Sequence, residues 1–153
     1  MRSLHFRSLQ LIPPEMKGNI VIDENVTKNK AIVLAALTGA FAEHDLSVFD
    51  RYWAKDYIQH NTFIPPFREG LRNLAAQLPA DSNYEPGMIV GEGDYVVIHG
   101  RYSGHQPVPQ IIVDIFRLKD GLLVEHWDVI QNEMSPSLTK SGNAQFTNPQ
   151  QGD

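Results

Sequence analysis

In the first half of the chain, apolar residues recur at the spacing of an α-helix. Thr27 or Asn25 could cap the first of these segments, since both offer a side-chain oxygen to the free backbone N–H groups of a helix start. Three helices are predicted, over residues 27–44, 46–53 and 68–78.

The second half of the chain is typical of β-strands. Between the second and third helices, residues 57–61 are a strand fragment or a loop, and Lys119-Asp-Gly121 is the signal of a tight hairpin. Four longer strands are predicted, over residues 84–90, 95–102, 110–118 and 122–130. Helices followed by strands indicate an α+β fold, with the helices on one face of an antiparallel sheet.

All these elements lie within residues 25–134, and a chain of 153 residues fits a single domain. Residues 1–24 form an irregular N-terminal extension that Pro13-Pro14 interrupts, with room for a short strand over residues 20–22. Residues 135–153 form a polar C-terminal tail whose end we expect to be disordered.

Composition narrows the class of protein. The net charge is −5 and no basic patch stands out, so we expect no nucleic-acid partner. No apolar run approaches the length of a membrane span, and no signal core precedes Pro13, so we expect a cytoplasmic protein that does not bind membranes. The absence of cysteine excludes disulfides, thiolate metal sites and thiol nucleophiles.

The most informative residue is Asp114, which interrupts an almost wholly apolar strand. Asp is depleted in strands and is rarely buried without a partner. Burial disfavours the charged carboxylate and raises its pKa, which suits a group that exchanges protons near neutral pH. The alternative is a structural Asp114 that faces water or pairs with Arg117 or Arg101.

The hairpin that contains Asp114 has two possible registers. A three-residue loop pairs Leu118 with Leu122 and places Asp114 opposite His126. A two-residue loop would place Asp114 opposite Trp127 instead. We favour the first register, but both give Asp114 a ring as its neighbour.

Three short segments lie at characteristic places in this order of elements: Tyr57-Ile-Gln-His-Asn61, Asp114-Ile-Phe-Arg117 and Glu125-His-Trp127. These segments and the order of the elements are similar to the SnoaL-like polyketide cyclase family of the nuclear transport factor 2-like superfamily, and the resemblance covers about residues 26–132. It implies a cone-shaped, curved antiparallel sheet with three helices enclosing a pocket, an architecture also called cystatin-like. Members of the family often dimerise through the outer face of the sheet.

The resemblance also implies roles for residues. Polyketide cyclases of this kind close a ring by an aldol condensation without metal or cofactor, and an acidic residue on a late strand is the general acid/base. That role falls on Asp114, with His99 as the assisting histidine. His60 is a second candidate, because the family's chain enters the pocket mouth at that segment. Tyr57, Asn61, Phe116, His126 and Trp127 are the expected substrate-binding residues.

Together these expectations indicate a cofactor-free lyase or isomerase. It would carry out acid/base proton transfer on a small carbonyl compound in an apolar pocket. The alternative is a non-catalytic module of the same fold that binds a hydrophobic small molecule. His60, His99, Asp114 and His126 could in principle bind a metal, but they form no local ligand motif, so we expect none. A homodimer is expected, because the last two strands are apolar on both faces.

Overall fold

The computed structural model describes residues 23–148. The chain forms three α-helices, five β-strands and a short 3₁₀ helix. The helices are α1 (Glu24–Phe41), α2 (Val48–Tyr52) and α3 (Phe67–Ala75). The strands are β1 (Trp53–Gln59), β2 (Asn83–Glu92), β3 (Tyr95–Ser103), β4 (Gln110–Lys119) and β5 (Leu122–Asn132), and the 3₁₀ helix is Pro136–Leu138.

The first helix begins earlier than the apolar pattern suggests. Asp23 is its N-cap, since the Asp23 carboxylate accepts hydrogen bonds from the N–H groups of Asn25 and Val26. The expectation that Thr27 or Asn25 is the cap is therefore wrong. The buried face of α1 lies against β2 and β3 and carries Val33, Ala36, Leu37 and Ala40.

The five strands form one curved sheet in the order β1-β5-β4-β3-β2. The four strands β2 to β5 follow one another as an antiparallel meander, and β1 adds to the edge parallel to β5. The segment that contains Tyr57 is thus a strand up to Gln59, and this edge position brings it beside His126. The predicted α+β architecture, with its curved sheet and three helices, is confirmed.

The β4–β5 hairpin differs from both expected registers. The turn has two residues, Asp120 and Gly121, both with positive φ. The pairing then shifts at Arg117, because β5 contains an extra residue at this point. Asp114 consequently lies opposite Asp128, and neither His126 nor Trp127 is its direct partner. His126 is instead the diagonal neighbour of Asp114 on the same face.

The C-terminal segment folds back onto the outer face of the sheet, away from the helices. The Phe146 ring lies 5.7 Å from the His99 ring, and the Asn148 amide donates to the backbone oxygen of Pro86. Most of the predicted N-terminal extension, residues 1–22, lies outside the described residues. Within residues 23–148, no helix is long and apolar enough to cross a membrane.

Candidate active site

A cavity of about 1160 Å³ lies between the helices and the concave face of the sheet. Its deep part is walled by buried apolar and aromatic side chains such as Leu37, Tyr57 and Phe116. The mouth is polar: eight Asn and Gln side chains line the cavity, and several of them, such as Gln77 and Gln131, are exposed. The cavity is large enough to hold a small organic molecule.

Asp114 projects from the middle of β4 into the deep part of this cavity, and only 5% of it is exposed. Its Oδ1 atom lies 2.9 Å from Nε2 of His126. Its Oδ2 atom is buried and has no hydrogen-bond partner among residues 23–148. A buried carboxylate oxygen without a partner is costly, so this atom is a candidate for contact with a ligand.

The structural alternative for Asp114 needs either contact with water or an arginine partner, and Asp114 is buried. Arg117 binds Glu125 instead, at 2.6 Å from its Nη2 atom. Arg101 binds Glu85 and Glu133. Neither arginine pairs with Asp114, so the structure does not support that alternative.

Burial raises the pKa of Asp114 above the ordinary value for an aspartate. The hydrogen bond and the charge of His126 act in the opposite direction, and the nearby carboxylate of Asp128 raises the pKa further. The net change in the pKa is upward, as the position of this residue in an apolar strand predicts. The group therefore exchanges its proton at a higher pH than a solvated aspartate does.

His126 links Asp114 to the edge strand. Its Nε2 atom contacts Asp114 and its Nδ1 atom lies 2.9 Å from Oε1 of Gln59. The Phe116 ring is stacked on the imidazole at 4.7 Å, and the Tyr57 ring lies nearly parallel at 6.4 Å. Two hydrogen bonds and two ring contacts hold this histidine in one orientation.

A second polar pair lies beside Asp114. The Asn61 side-chain amide donates to Asp128 at 2.6 Å, and its Oδ1 atom accepts from the N–H of Phe63. The Tyr57 hydroxyl is buried and its hydrogen is unpaired among residues 23–148, while the indole N–H of Trp53 lies beside its oxygen. Burial raises the pKa of Tyr57 well above its ordinary value, so the phenol stays protonated and can donate a hydrogen bond.

The structure places His99 outside this site. His99 pairs with Val113, and its neighbour Ile98 pairs with Asp114. Since side chains alternate along a strand, His99 and Asp114 lie on opposite faces of the sheet. The expectation that His99 assists Asp114 is corrected: its ring lies against Phe146 on the outer face.

His60 and Trp127 also lie outside the cavity. The His60 ring is stacked on Trp127 at 4.9 Å, and its Nε2 atom is 2.9 Å from the carboxylate of Glu125. Trp127 lies opposite Ile115 on the outer face. Both expectations, a catalytic His60 and a substrate-binding Trp127, are corrected. Four other predicted residues do line the cavity with Asp114: Tyr57, Asn61, Phe116 and His126.

Among residues 23–148, one group of side chains has the composition of a cation site. It consists of Asp114, His126 and Asp128, whose ligand atoms lie within 4.8 Å of one another. Existing contacts compete with this role, because Nε2 of His126 is bound to Asp114 and Asn61 donates to Asp128. The arrangement therefore favours a proton over a metal ion between these groups.

The site residues expected from the sequence include neither Gln59 nor Asp128. Both follow from the alternation along their strands. Gln59 lies two residues after Tyr57 and two residues before Asn61, and Asp128 lies two residues after His126. Alternation was therefore the available signal, and it also separates Gln59 from the neighbouring His60.

The sequence-family model of the SnoaL-like domain matches residues 33–126, which is more than half of the chain. The chain belongs to the SnoaL-like domain family. The matched residues of this family member include Asp114, His126, Gln59 and Tyr57. No protein of curated function matches the sequence.

Solved structures share the fold of this SnoaL-like protein. A protein from Bacillus cereus ATCC 10987 assigned as a polyketide cyclase is 17% identical, with 72% of this chain and 79% of that chain covered and a TM-score of 0.63. An LEH-like epoxide hydrolase from M. tuberculosis is 17% identical, with 70% and 85% covered and a TM-score of 0.58. A protein from Kribbella flavida DSM 17836 assigned as a ketosteroid isomerase is 11% identical, with 80% and 92% covered and a TM-score of 0.64.

Proposed function

We propose that this protein is a cofactor-free lyase or isomerase in which Asp114 transfers a proton to and from a carbonyl compound. The observation that carries the proposal is the hydrogen bonding and burial of the two Asp114 carboxyl oxygens. One oxygen is bound to His126, and the other is buried in the cavity wall without a partner among residues 23–148. A base that is positioned and desolvated in this way is suited to removing a proton from carbon.

The neighbours of Asp114 suit both stages of such a reaction. As a carboxylate, Asp114 takes a proton on Oδ2 from the carbon next to the substrate carbonyl. The Tyr57 hydroxyl then has a free hydrogen to donate to the developing enolate oxygen. Asp114 then returns the proton to another carbon of the enolate, or the enolate attacks a second carbonyl carbon in an aldol step and the proton on Asp114 passes to the alkoxide that forms.

The substrate that fits this cavity is uncharged. Within the described part of the chain, no lysine or arginine lines the cavity, and its only acidic residues are Asp114 and Asp128. A carboxylate or phosphate group would meet these two carboxylates with no lysine or arginine to compensate its charge. The carboxamides at the mouth can instead bind hydroxyl and carbonyl groups. The similar structures are named for cyclisation, isomerisation and epoxide hydrolysis, which fits a pocket for neutral compounds.

The test is the exchange of carbon-bound hydrogen in D₂O, followed by proton NMR with β-tetralone as an apolar ketone. We expect the wild-type protein to accelerate the exchange next to the carbonyl group. Asp114→Asn should slow it by roughly two to four orders of magnitude, the usual contribution of a positioned acid/base. The matched control is Asp56→Asn, at an exposed position of β1, which should leave the rate unchanged.

An equal loss in both variants, or full exchange in Asp114→Asn, would contradict the proposal. A non-catalytic ligand-binding module predicts a different result. Such a module would bind neutral carbonyl compounds, as seen in a thermal-shift screen, with the same affinity in the wild type and in Asp114→Asn, and neither protein would accelerate exchange.

A further inference from the structure

Gln59 makes both of its polar contacts through one atom. Its Oε1 atom accepts the backbone N–H of Asn61 at 2.9 Å and faces Nδ1 of His126 at 2.9 Å. Its Nε2 atom is buried without a partner among residues 23–148. Gln59 thus presents only its oxygen to its polar neighbours.

The backbone contact fixes which end of the Gln59 amide faces His126. Only an oxygen can accept the N–H of Asn61, and a reversed amide would place its NH₂ group against that N–H. The atom that faces Nδ1 of His126 is therefore the acceptor Oε1. Because an acceptor needs a donor opposite it, Nδ1 of His126 carries a hydrogen.

This assignment determines the chemistry on the other side of the ring. A neutral imidazole with its hydrogen on Nδ1 has a lone pair on Nε2. Nε2 lies 2.9 Å from Oδ1 of Asp114, so a hydrogen bond between them needs one further proton. That proton lies either on the carboxyl group or on an imidazolium, and in both cases it is shared between the two residues.

We propose that Gln59 is a positioning residue, which holds His126 with its hydrogen on Nδ1 so that one proton is retained between Nε2 and Asp114. The catalytic meaning of this proton rests on the function proposed above, since it would leave Oδ2 of Asp114 as the only oxygen that exchanges with a substrate. The hydrogen placement itself is a property of the free protein.

The other groups around His126 do not substitute for Gln59. The charged or titratable groups that face it are Asp114 from β4, Asp128 from its own strand and Tyr57 from β1. Asp114 contacts Nε2 only, and the hydrogen of the Tyr57 hydroxyl is unpaired among residues 23–148. Without the Gln59 oxygen, the hydrogen of the neutral ring can move to Nε2, where a charged Asp114 accepts it.

The experiment is ¹⁵N NMR of the histidine rings of the full chain, without ligand, across the pH range in which the protein is folded. For the wild type we expect Nδ1 of His126 to show the chemical shift of a protonated nitrogen throughout. Gln59→Met keeps the length of the side chain but removes the acceptor. In this variant we expect a neutral ring with the hydrogen on Nε2.

Two further variants separate positioning from packing. Gln59→Glu keeps an acceptor at the same place and should restore the hydrogen on Nδ1. Gln145→Met changes a glutamine that binds the backbone of Met134 and does not line the cavity, and should leave the His126 signals unchanged. In the D₂O exchange assay, Gln59→Met should lose roughly 10- to 100-fold in rate, as when a partner that orients a functional histidine is removed.

A wild-type His126 whose neutral ring lacks the hydrogen on Nδ1 would overturn the proposal, and this result needs no folded variant. Unchanged His126 signals in Gln59→Met would overturn it as well. The NMR result is independent of catalysis. If the hydrogen lies on Nδ1 but Asp114→Asn accelerates the D₂O exchange of the ketone as the wild type does, the proposed function fails. The positioning role of Gln59 then still stands.

Discussion

At the residue scale, removal of the buried Tyr57 hydroxyl should lower activity but not stability. Because the hydrogen of this hydroxyl is unpaired among residues 23–148 and its oxygen has only a weak contact with the Trp53 indole, its removal costs little protein hydrogen bonding. We expect Tyr57→Phe to unfold at the same or a higher urea concentration than the wild type. If the hydroxyl donates to an enolate oxygen, the D₂O exchange rate should fall by about 10²-fold. A variant that is clearly less stable, with normal exchange, would assign Tyr57 a structural role.

A second prediction concerns how the stability of Asp114→Asn and of the wild type depends on pH. The pKa of Asp114 is higher in the folded protein than in the unfolded chain. Ionisation of Asp114 therefore opposes folding once the pH exceeds its pKa in the unfolded chain. Below that value the variant and the wild type should be equally stable. As the pH rises through the folded pKa, the wild type should lose free energy of unfolding relative to the variant. The loss is about 1.4 kcal/mol for each pH unit that separates the folded and unfolded pKa values.

The amide that replaces the carboxyl group in Asp114→Asn can still donate to Nε2 of His126, so the hydrogen bond need not be lost. Urea denaturation of both proteins at several pH values measures the difference. A variant that is less stable than the wild type at neutral pH would show that the ionised Asp114 stabilises the fold, as a structural partner does.

The composition of the site was only partly predictable at this scale. Asp114 could be found because a carboxylate in an apolar strand is unusual. The resemblance implies catalytic roles for His60 and His99, but the alternation of side chains places both rings on the outer face. Gln59 had no chemical signal of its own, since its role depends on an edge strand pairing with residues far along the chain.

At the element scale, the β4–β5 hairpin shows why register is hard to derive from sequence. The turn residues Asp120 and Gly121 indicate a hairpin correctly, and both adopt the positive φ that a two-residue turn requires. The extra residue in β5 then moves every later pair by one position. That change of register places Asp114 opposite Asp128, which no local pattern predicts.

The C-terminal segment gives a prediction at the same scale. A Cβ atom on Gly87 would lie 2.6 Å from the backbone oxygen of His99 and 2.9 Å from the Phe146 ring. We expect Gly87→Ala to destabilise the protein by about 1–3 kcal/mol, as overpacking does, and to release the segment around Phe146. Hydrogen exchange of residues 143–148 measures the release. Phe146→Ala is the matched variant, which should release the segment without the clash at His99.

At the scale of the whole molecule, the order of the elements predicted the α+β class, and the resemblance predicted the curved sheet. The packing of the polar tail was not predictable, since the segment up to Asn148 lies on the outer face through contacts that its composition does not indicate. The parallel addition of β1 was also unpredicted, because the sequence left that segment open between strand and loop.

The outer face of the sheet leads us to propose a homodimer. Met88, Val90 and Val129 are apolar and are 52%, 48% and 67% exposed in the single chain. A patch of this kind favours a second copy. We expect light scattering at micromolar concentration to give the mass of a dimer, and Val129→Asp to give a monomer. Phe63→Asp, at the exposed mouth of the cavity, is the control and should remain dimeric. A monomeric wild type would refute the proposal.

The proposed function depends on Asp114 being a buried carboxyl group that His126 holds ready for proton transfer. A ¹³C NMR titration of this carboxyl group in the wild-type protein, with the signal assigned by its loss in Asp114→Asn, tests that property without a substrate. We expect a pKa above the ordinary value of 3.8, because burial and the neighbouring Asp128 outweigh the hydrogen bond from His126. A carboxyl group that titrates at or below 3.8 would contradict this expectation and, with it, the role of Asp114 as the base.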